Sequence, residues 1–359
     1  ALATTQRWYL SDKNKQKVSM SNQWSVPIAK KIKAQSYLKL KPVIENNIMY
    51  FANNNGTVQA VSRKTGVNVW TTNIDEKIIS GPAVADNSLV VGTNVATIAM
   101  LDKNNGRKLW TARLSQDALS KAAIFNDKVI VKTIDGNLYA FAKDTGKELW
   151  MYEHGAPSLI LKASSSPVVV GNLVLVGFSD GKLDAVDVND GRLVWQRGIA
   201  YATGSSDVEK LIDIDADPIV KNGIVYVGSY QGYIGGISLQ TGQFIWSKAG
   251  SVYKNMVIDD NGLYVVDAKD VLWAFDDVSG RVKWKQDALK YHGLTDPVLM
   301  GSKLIIADKA GYLYAVSIRN GELVGRTQLG AGVNISPVVA GNMAYTVGSN
   351  GIVNATKIS

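Results

Sequence analysis

A segment of about 40 residues recurs along the whole sequence and constrains the fold more than any other feature. In the clear copies, Gly, an apolar residue and Ala or Gly stand at alternate positions, a second Gly follows ten residues after the first, and Trp follows four residues later. Periods of about 20 to 50 residues are typical of solenoids and propellers. Clear copies cover 56–70, 136–150, 181–195 and 232–246, and degenerate copies cover 96–110, 270–284, 311–325 and, truncated, 351–359.

A second marker lies 14 residues before the start of every copy. It is proline in six copies, while Ala122 and Met256 take the other two places. A spacing that stays constant while the intervening residues vary indicates one rigid unit that is repeated. The six prolines are Pro42, Pro82, Pro167, Pro218, Pro297 and Pro337.

Each copy has the pattern of four short antiparallel strands. Apolar residues occur at alternate positions, as at Val58 and Ala60, which is the period of a half-buried strand. Asn-Gly and Asp-Gly pairs such as Asn222-Gly223 separate the runs, and these residues accept the positive φ that a tight hairpin requires. Eight such units predict an all-β fold, an eight-bladed β-propeller of four-stranded antiparallel blades.

The two ends of the sequence complement each other. The eighth copy begins at Gly351 and stops at Ser359, one strand short, while a spare Trp24 matches the Trp-bearing fourth strand. We therefore expect the N-terminal strand to complete the last blade and close the ring, because closure removes unpaired strand edges. The predicted division is an N-terminal tail or linker over 1–22 and the propeller over 23–359.

Seven of the nine tryptophans fall on one position of the repeat, and we interpret them as structural. A buried Trp removes about 150–250 Å² from water, which at about 25 cal/mol per Å² gives an upper bound of roughly 4–6 kcal/mol each. Gly325 takes this position in the copy that lacks the Trp. The seven are Trp24, Trp70, Trp110, Trp150, Trp195, Trp246 and Trp284.

The composition rules out several kinds of chemistry. Cysteine is absent, which excludes disulfides, thiolate catalysis and Cys-ligated metals, and the two histidines, His154 and His292, are too few for a multi-His metal cluster. The usual phosphate-binding, dinucleotide-binding and hydrolase motifs are missing, and we give little weight to a catalytic pairing of His154 with Ser158. We expect a protein that is not an enzyme and that carries no cofactor.

The net charge is +8, and the basic residues are scattered apart from a cluster at 30–41. That cluster lacks the interleaved aromatic residues of a nucleic-acid groove, so we expect no nucleic-acid partner. We interpret it as a solvated basic face, and attraction to an acidic partner or an anionic lipid surface stays open.

Departures from the repeat are confined to the connections between blades. The step from the Trp position to the next proline marker is 12 residues in three copies, but it is 17 from Trp150 to Pro167, 23 from Trp195 to Pro218, and 18 from Trp24. Because strand directions alternate, all three connections emerge on one face. The two that flank one blade are the candidate binding loops: the leucine loop (151–166) and the aspartate loop (196–217).

The leucine loop carries the apolar run Leu159-Ile-Leu161, although loops are normally polar. Either these side chains fold back onto the blade, or they form an exposed apolar patch that docks another protein.

The aspartate loop carries Asp213, Asp215 and Asp217 at alternate positions. In an extended segment these carboxylates point the same way and repel one another, so a cationic partner would stabilise them. The alternative is a solvated loop whose carboxylates cap local turns. The EF-hand pattern for calcium fails, because its Gly and Glu places hold Pro218 and Ile224.

The repeat resembles that of pyrroloquinoline-quinone-dependent dehydrogenases, best over 140–150 and 185–195. Those enzymes use an adjacent cysteine pair beside the cofactor, and calcium with a catalytic aspartate. Since this sequence has no cysteine and no matching acidic cluster, the resemblance implies the scaffold but not the chemistry. A quinone-dependent enzyme is kept as an alternative.

A closer resemblance, over the chain from about Trp24, is to the BamB family. These are lipoprotein subunits of the outer-membrane β-barrel assembly machinery of Gram-negative bacteria. The resemblance is carried by Pro-Ser-Leu-Ile-Leu-Lys at 157–162 and by the acidic segment at 202–218. It implies a location at the periplasmic face of the outer membrane, and a lipid anchor on a cysteine that would precede Ala1.

The family also implies binding residues. Its first loop contacts the POTRA domains of the subunit BamA through two leucines and an arginine, which correspond to Leu159, Leu161 and Lys162 here. Its second loop carries two aspartates, which correspond to Asp213 and Asp215. Lys162 keeps the positive charge of the arginine but lacks the planar guanidinium group that can donate two parallel hydrogen bonds.

The resemblance therefore implies a scaffold that binds BamA and assists nascent outer-membrane proteins, which are expected as further partners. A propeller that binds a glycan or peptidoglycan in the periplasm is the alternative from a different class.

Overall fold

The computed structural model describes residues 16–28, 40–155, 165–199, 214–230 and 232–359. Every regular element assigned in these residues is a β-strand, starting with β1 (Met20–Pro27). In the same residues no helix has the length and apolar character needed to cross a membrane. The chain divides into two compact units, one formed by Tyr37–Tyr253 and the other by Ala1–Ser36 with Lys254–Ser359.

The unit Tyr37–Tyr253 contains five sheets, each of four antiparallel strands in sequence order. The strands are β2 (Val43–Glu45), β3 (Ile48–Ala52), β4 (Thr57–Ser62), β5 (Asn68–Asn73), β6 (Ile78–Ala85), β7 (Ser88–Thr93), β8 (Thr97–Asp102), β9 (Lys108–Arg113), β10 (Ala123–Phe125), β11 (Lys128–Lys132), β12 (Asn137–Ala142), β13 (Glu148–Glu153), β14 (Val168–Val170), β15 (Leu173–Gly177), β16 (Lys182–Asp187), β17 (Leu193–Gly198), β18 (Ile219–Lys221), β19 (Ile224–Gly228), β20 (Gly232–Ser238) and β21 (Phe244–Gly250).

The second unit contains three sheets, and in the last of them β1 pairs antiparallel with the C-terminal strand in the order β1-β32-β31-β30. The N-terminal strand therefore completes the last blade, as predicted. The remaining strands are β22 (Val257–Asp259), β23 (Gly262–Val266), β24 (Leu272–Phe275), β25 (Val282–Gln286), β26 (Val298–Met300), β27 (Lys303–Ala307), β28 (Tyr312–Ser317), β29 (Leu323–Gln328), β30 (Val338–Ala340), β31 (Met343–Val347) and β32 (Ile352–Ile358).

These eight four-stranded antiparallel sheets are the blades of an eight-bladed β-propeller, which confirms the predicted fold class. The predicted hairpins are present where the sequence places them. In the turn before β19, Asn222 has a φ of 52° and Gly223 a φ of 75°. Both values lie in the left-handed region that Asn and Gly tolerate best, which explains the choice of residues there.

The repeated tryptophans occupy one position in the structure. Each lies on the outer strand of its blade, and all but Trp110 lie opposite Ala or Gly, as with Trp150 opposite Ala140. Trp110 lies opposite Met100. The indole Nε1 of Trp150 donates to the carbonyl of Val188 in the following blade, at 2.9 Å. Equivalent bonds, from 2.7 to 2.9 Å, are made by Trp70, Trp110, Trp195 and Trp284.

Gly325 is the exception in the Trp series, and the structure gives the reason. A Cβ added at Gly325 would lie 2.4 Å from Cγ2 of Val18 and 3.0 Å from the sulfur of Met20. The amides of Lys17 and Val18 both donate to the carbonyl of Val324. The segment leading into β1 therefore covers the place that an indole fills in other blades.

Candidate functional site

Most of the predicted binding residues fall outside the part of the chain that the structure describes. Leu159, Leu161, Lys162 and Asp213 lie outside the described residues, and their role stays a prediction. Asp215 is described; its side chain is half-buried and engaged in a polar interaction. The described residues that flank the two candidate loops can nevertheless be placed.

The ends of both loops meet on one turn, the hairpin between β15 and β16 at residues 177–181, which we call the junction turn. At the start of the leucine loop, the ring of His154 stacks on Phe178 with centroids 3.9 Å apart and planes at 7°. At the start of the aspartate loop, the amide of Ile199 donates to the Gly181 carbonyl at 2.9 Å. At its end, the amide of Ile214 donates to the Phe178 carbonyl at 3.3 Å.

The close fit at the junction turn depends on a glycine. A Cβ at Gly177 would lie 2.4 Å from Cγ2 of Ile214 and 3.1 Å from Oγ of Ser165. Ile214 is fully buried, so its side chain fastens the end of the aspartate loop against the turn. Two connections that are separate in sequence thus share one support.

The ends of the two loops are also bonded directly to each other. The hydroxyl of Ser165 donates to the Ala216 carbonyl at 3.1 Å, and the amide of Ser166 donates to Oδ1 of Asp217 at 2.6 Å. Asp217 therefore accepts from the backbone of the other loop, a contact that neither interpretation of the sequence predicted for this carboxylate. Asp215 is half-buried and stands between the buried residues Ile214 and Ala216.

A buried polar cluster, which we call the His154 cluster, lies beside the junction turn. His154 exposes 2% of its side chain, and its Nδ1 lies 2.5 Å from Oδ2 of Asp184 while its Nε2 lies 2.7 Å from Oδ2 of Asp180. Asp184 is fully buried. The carboxylate oxygens of Asp184 also accept hydrogen bonds from the hydroxyl of Tyr152 at 2.6 Å and from the side-chain amide Nε2 of Gln196 at 2.9 Å. The cluster links β13 of one blade to β16 and β17 of the next.

His154 is charged in this setting. Burial by itself would lower the pKa of the imidazole, but the hydrogen bonds to Asp180 and Asp184 and their negative charges outweigh it and raise the pKa to about 9. Both ring nitrogens then donate to carboxylates. Burial, followed by the bond to Asp184, also raises the pKa of Tyr152, so its hydroxyl remains a donor.

Sequence reasoning missed the His154 cluster, although the repeat frame contained a signal. His154 lies four residues after the Trp, a place that is apolar or Gly in every other copy: Ile28, Ile74, Leu114, Ile199, Gly250, Ala288 and Leu329. Asp184 lies three residues after the first Gly, where the other copies have Gln59, Ala99, Tyr139, Gly235, Trp273, Tyr314 and Asn354. Opposite charges at two otherwise uncharged frame positions of neighbouring copies indicate a contact.

The side chains of the His154 cluster are bonded to one another. Within the described ranges, no group of three or more His, Cys, Asp and Glu side chains is arranged to hold a metal ion. The two carboxylates of the cluster are instead engaged by His154, Tyr152 and Gln196. What the site provides is a common base to which the described ends of both loops are bonded.

These features define an eight-bladed propeller in which the described ends of two long neighbouring connections share one supporting turn. A family model described as "Outer membrane protein assembly factor BamB" matches residues 54–286 and 288–358. The chain belongs to this family of assembly factors.

Relatives of known name agree with this assignment. The chain is 56% identical over 343 residues to the outer membrane protein assembly factor BamB of Legionella pneumophila (strain Paris), covering 96% of this chain and 89% of that protein. It is 40% identical over 338 residues to the BamB of Pseudomonas aeruginosa, covering 94% and 89% of the two chains.

Solved structures support the fold. The crystal structure of BamB from Moraxella catarrhalis matches with a TM-score of 0.85 at 24% identity, covering 94% of this chain and all of that one. A quinohemoprotein alcohol dehydrogenase from Comamonas testosteroni matches with a TM-score of 0.75 at 14% identity, covering 96% of this chain and 78% of the other. At such identities the likeness concerns the fold alone.

Proposed function

We propose that this protein is a non-enzymatic scaffold subunit of the outer-membrane β-barrel assembly machinery. In this proposal it acts at the periplasmic face of the outer membrane and binds the POTRA domains of BamA through the leucine and aspartate loops. Holding BamA in a productive orientation would then assist the folding and insertion of outer-membrane proteins. Family membership supports the assembly role, and the residues of the two loops support the choice of surface.

The observation that carries the choice of surface is the shared support of the two loops. Residues at the start and end of both connections are fastened to the junction turn or to each other, so the described ends of the two loops lie side by side. A binding surface built from two segments requires such a common base, because each segment alone offers too few contacts for a specific interface.

The chemistry of the loop residues fits a mixed interface. Leu159 and Leu161 would each contribute roughly 1.5–3 kcal/mol if fully covered by a partner. Lys162, Asp213 and Asp215 would mainly set orientation and association rate, because charges at the rim of an interface act more on those than on affinity.

Binding of purified BamA POTRA domains by the full chain tests the proposal. We expect Leu161→Asp to weaken binding at least about 10-fold, because it places a charge where apolar area would be covered. Leu109→Asp is a matched control, since Leu109 is an apolar residue with 47% of its surface exposed on an outer strand of another blade. Unchanged binding by a folded Leu161→Asp variant, or an equal loss in the control, would refute the proposed surface.

A further inference from the structure

The position of His154 is fixed from three sides. Its ring lies flat on Phe178, one nitrogen is held by Asp184 on β16, and the other is held by Asp180 in the junction turn. Its backbone amide donates to the Gly136 carbonyl, the bond that Leu114 makes to Ala96 in the previous copy. His154 therefore ties the first residues of the leucine loop to the turn that supports the aspartate loop.

The contacts continue from Phe178 to the aspartate loop. The Phe178 carbonyl accepts the amide of Ile214, whose side chain fills the space beside Gly177. A shift of Phe178 must therefore shift Ile214 and, with it, the adjacent Asp215. This chain of contacts is short and passes through buried groups, which transmit displacement because they are densely packed.

The charged and polar groups around His154 come from four strands, β11, β13, β16 and β17, and from the junction turn. Asp180 and Asp184 face the imidazole directly, and Tyr152 on β13 and Gln196 on β17 complete the shell of Asp184. On the far side, Lys132 of β11 donates to the Gly177 carbonyl at 3.1 Å, with its Nζ 6.0 Å from the centroid of the Phe178 ring.

Stability alone gives no reason for these charges. Apolar residues or Gly fill the place of His154 in all other copies, and a buried ion network is often no more stable than well-packed apolar residues of similar volume. What a fully bonded network provides beyond apolar packing is a defined direction for each of its members. The charged residues of the His154 cluster lie at the shared base of two long connections, where the orientation of the bonded groups matters.

We propose that His154 is a positioning residue, which holds the described ends of the leucine and aspartate loops in the relative arrangement that binding of a partner requires. The inference rests on the proposed function for the identity of the partner, the POTRA domains of BamA, but its structural part can be measured on the isolated chain. His154 itself makes no contact with the partner in this account.

The decisive variant replaces both charged residues with residue types that other copies of the repeat carry at the same positions. His154→Leu with Asp184→Gln places at both positions the residue types found at Leu114 and Gln59 in other copies. We expect this double variant to fold with a stability close to that of the parent, because both charges are removed together. A single His154→Leu variant, which leaves the buried Asp184 without its cation, serves for comparison.

A buried ion pair elsewhere provides the matched control. Lys254 and Asp270 are bonded at 2.9 Å and expose 7% and 8% of their side chains, in the other compact unit of the chain. Asp270→Asn disturbs a buried charge to a comparable extent but touches neither loop.

Two measurements decide the outcome. In the isolated chain, hydrogen exchange at the amides of Ser166, Ile199 and Ile214 should become at least about 10-fold faster in the double variant but not in Asp270→Asn. With BamA POTRA domains, the double variant should bind about 10-fold more weakly at pH 7, again unlike the control. The ratio of parent to double-variant affinity should fall toward one above pH 9, where His154 loses its proton.

The possible failures are distinguishable. If the parent chain does not bind POTRA domains, the proposed function fails, while the exchange measurement still decides whether His154 fastens the loop ends. If the parent binds and the double variant shows the same exchange and affinity, His154 is not a positioning residue. Loss of affinity that persists unchanged above pH 9 would also overturn the inference.

Discussion

Replacing Gly191 by alanine tests what holds one blade against the next. Gly191 has a φ of +77°, and a Cβ there would lie 2.6 Å from Cε3 of Trp150, the tryptophan of the preceding blade. Trp150 is 8% exposed and donates its indole N–H to the Val188 carbonyl at 2.9 Å. The small residue and the large one are therefore two halves of a single contact.

The magnitude follows from two contributions. An alanine at positive φ costs about 1 kcal/mol. Displacing the packed indole costs about 2 kcal/mol more, within the range for overpacking a dense core. We expect Gly191→Ala to lower the free energy of unfolding by about 3 kcal/mol, and Trp150→Ala to lower it by about 4 kcal/mol through lost burial and the cavity left behind.

A glycine in the same blade separates the two contributions. Gly171 also has a positive φ, +58°, but a Cβ there would meet nothing within 4 Å. We expect Gly171→Ala to cost about 1 kcal/mol, the backbone part alone. In a chain that already carries Trp150→Ala, Gly191→Ala should cost only the backbone part of about 1 kcal/mol, because no indole is left to displace. The difference from about 3 kcal/mol in the parent is a coupling free energy of about 2 kcal/mol between the two positions.

Urea unfolding followed by circular dichroism measures all five proteins, the parent with its three single variants and one double variant. Equal losses for Gly191→Ala and Gly171→Ala would refute the packing argument. So would additive effects of Trp150→Ala and Gly191→Ala, since a shared contact must appear as coupling.

Two further predictions concern His154 and Gly325. The pKa of His154 is about 9 in the folded chain against 6.5 ordinarily. Protonated His154 therefore stabilises the fold fully below pH 6.5, and about 3 kcal/mol of the free energy of unfolding is lost as the pH rises to 9. Urea midpoints should decline over this range, and the decline should be smaller in His154→Leu with Asp184→Gln; equal declines would contradict the assignment. Gly325→Val should displace the segment at Val18 and speed tryptic cleavage after Lys17, whereas Gly198→Ala, with open space around its Cβ, should not.

The repeat frame made the fold predictable from the sequence. The spacing between Gly and Trp is set by contacts that recur in each blade, so the shared structural position of the tryptophans was visible without coordinates. The missing strand of the last blade was predictable for the same reason, because Trp24 keeps the frame position, opposite Ala355.

The interior of the candidate site was not predicted, for a physical reason. His154 and Asp184 are 30 residues apart, on different blades, and their contact depends on how one blade lies on the next. Periodicity within a copy says which positions are buried, but not which two buried positions of neighbouring copies touch. Only a comparison of all copies position by position reveals that both are charged out of pattern.

The regular part of the chain and its irregular part meet at the junction turn. Trp–Gly contacts such as Trp150 with Gly191 keep the frame of each blade fixed, so added residues can be accommodated only in the connections. A long connection held by backbone bonds at its ends alone has many arrangements of similar energy. Our proposal is that the buried, directional bonds from His154 to two carboxylates reduce that number at the ends of both connections. A propeller that holds a partner in one orientation through its loops needs loop ends in fixed positions. A buried ion network can meet that need even where apolar packing would give a higher free energy of unfolding.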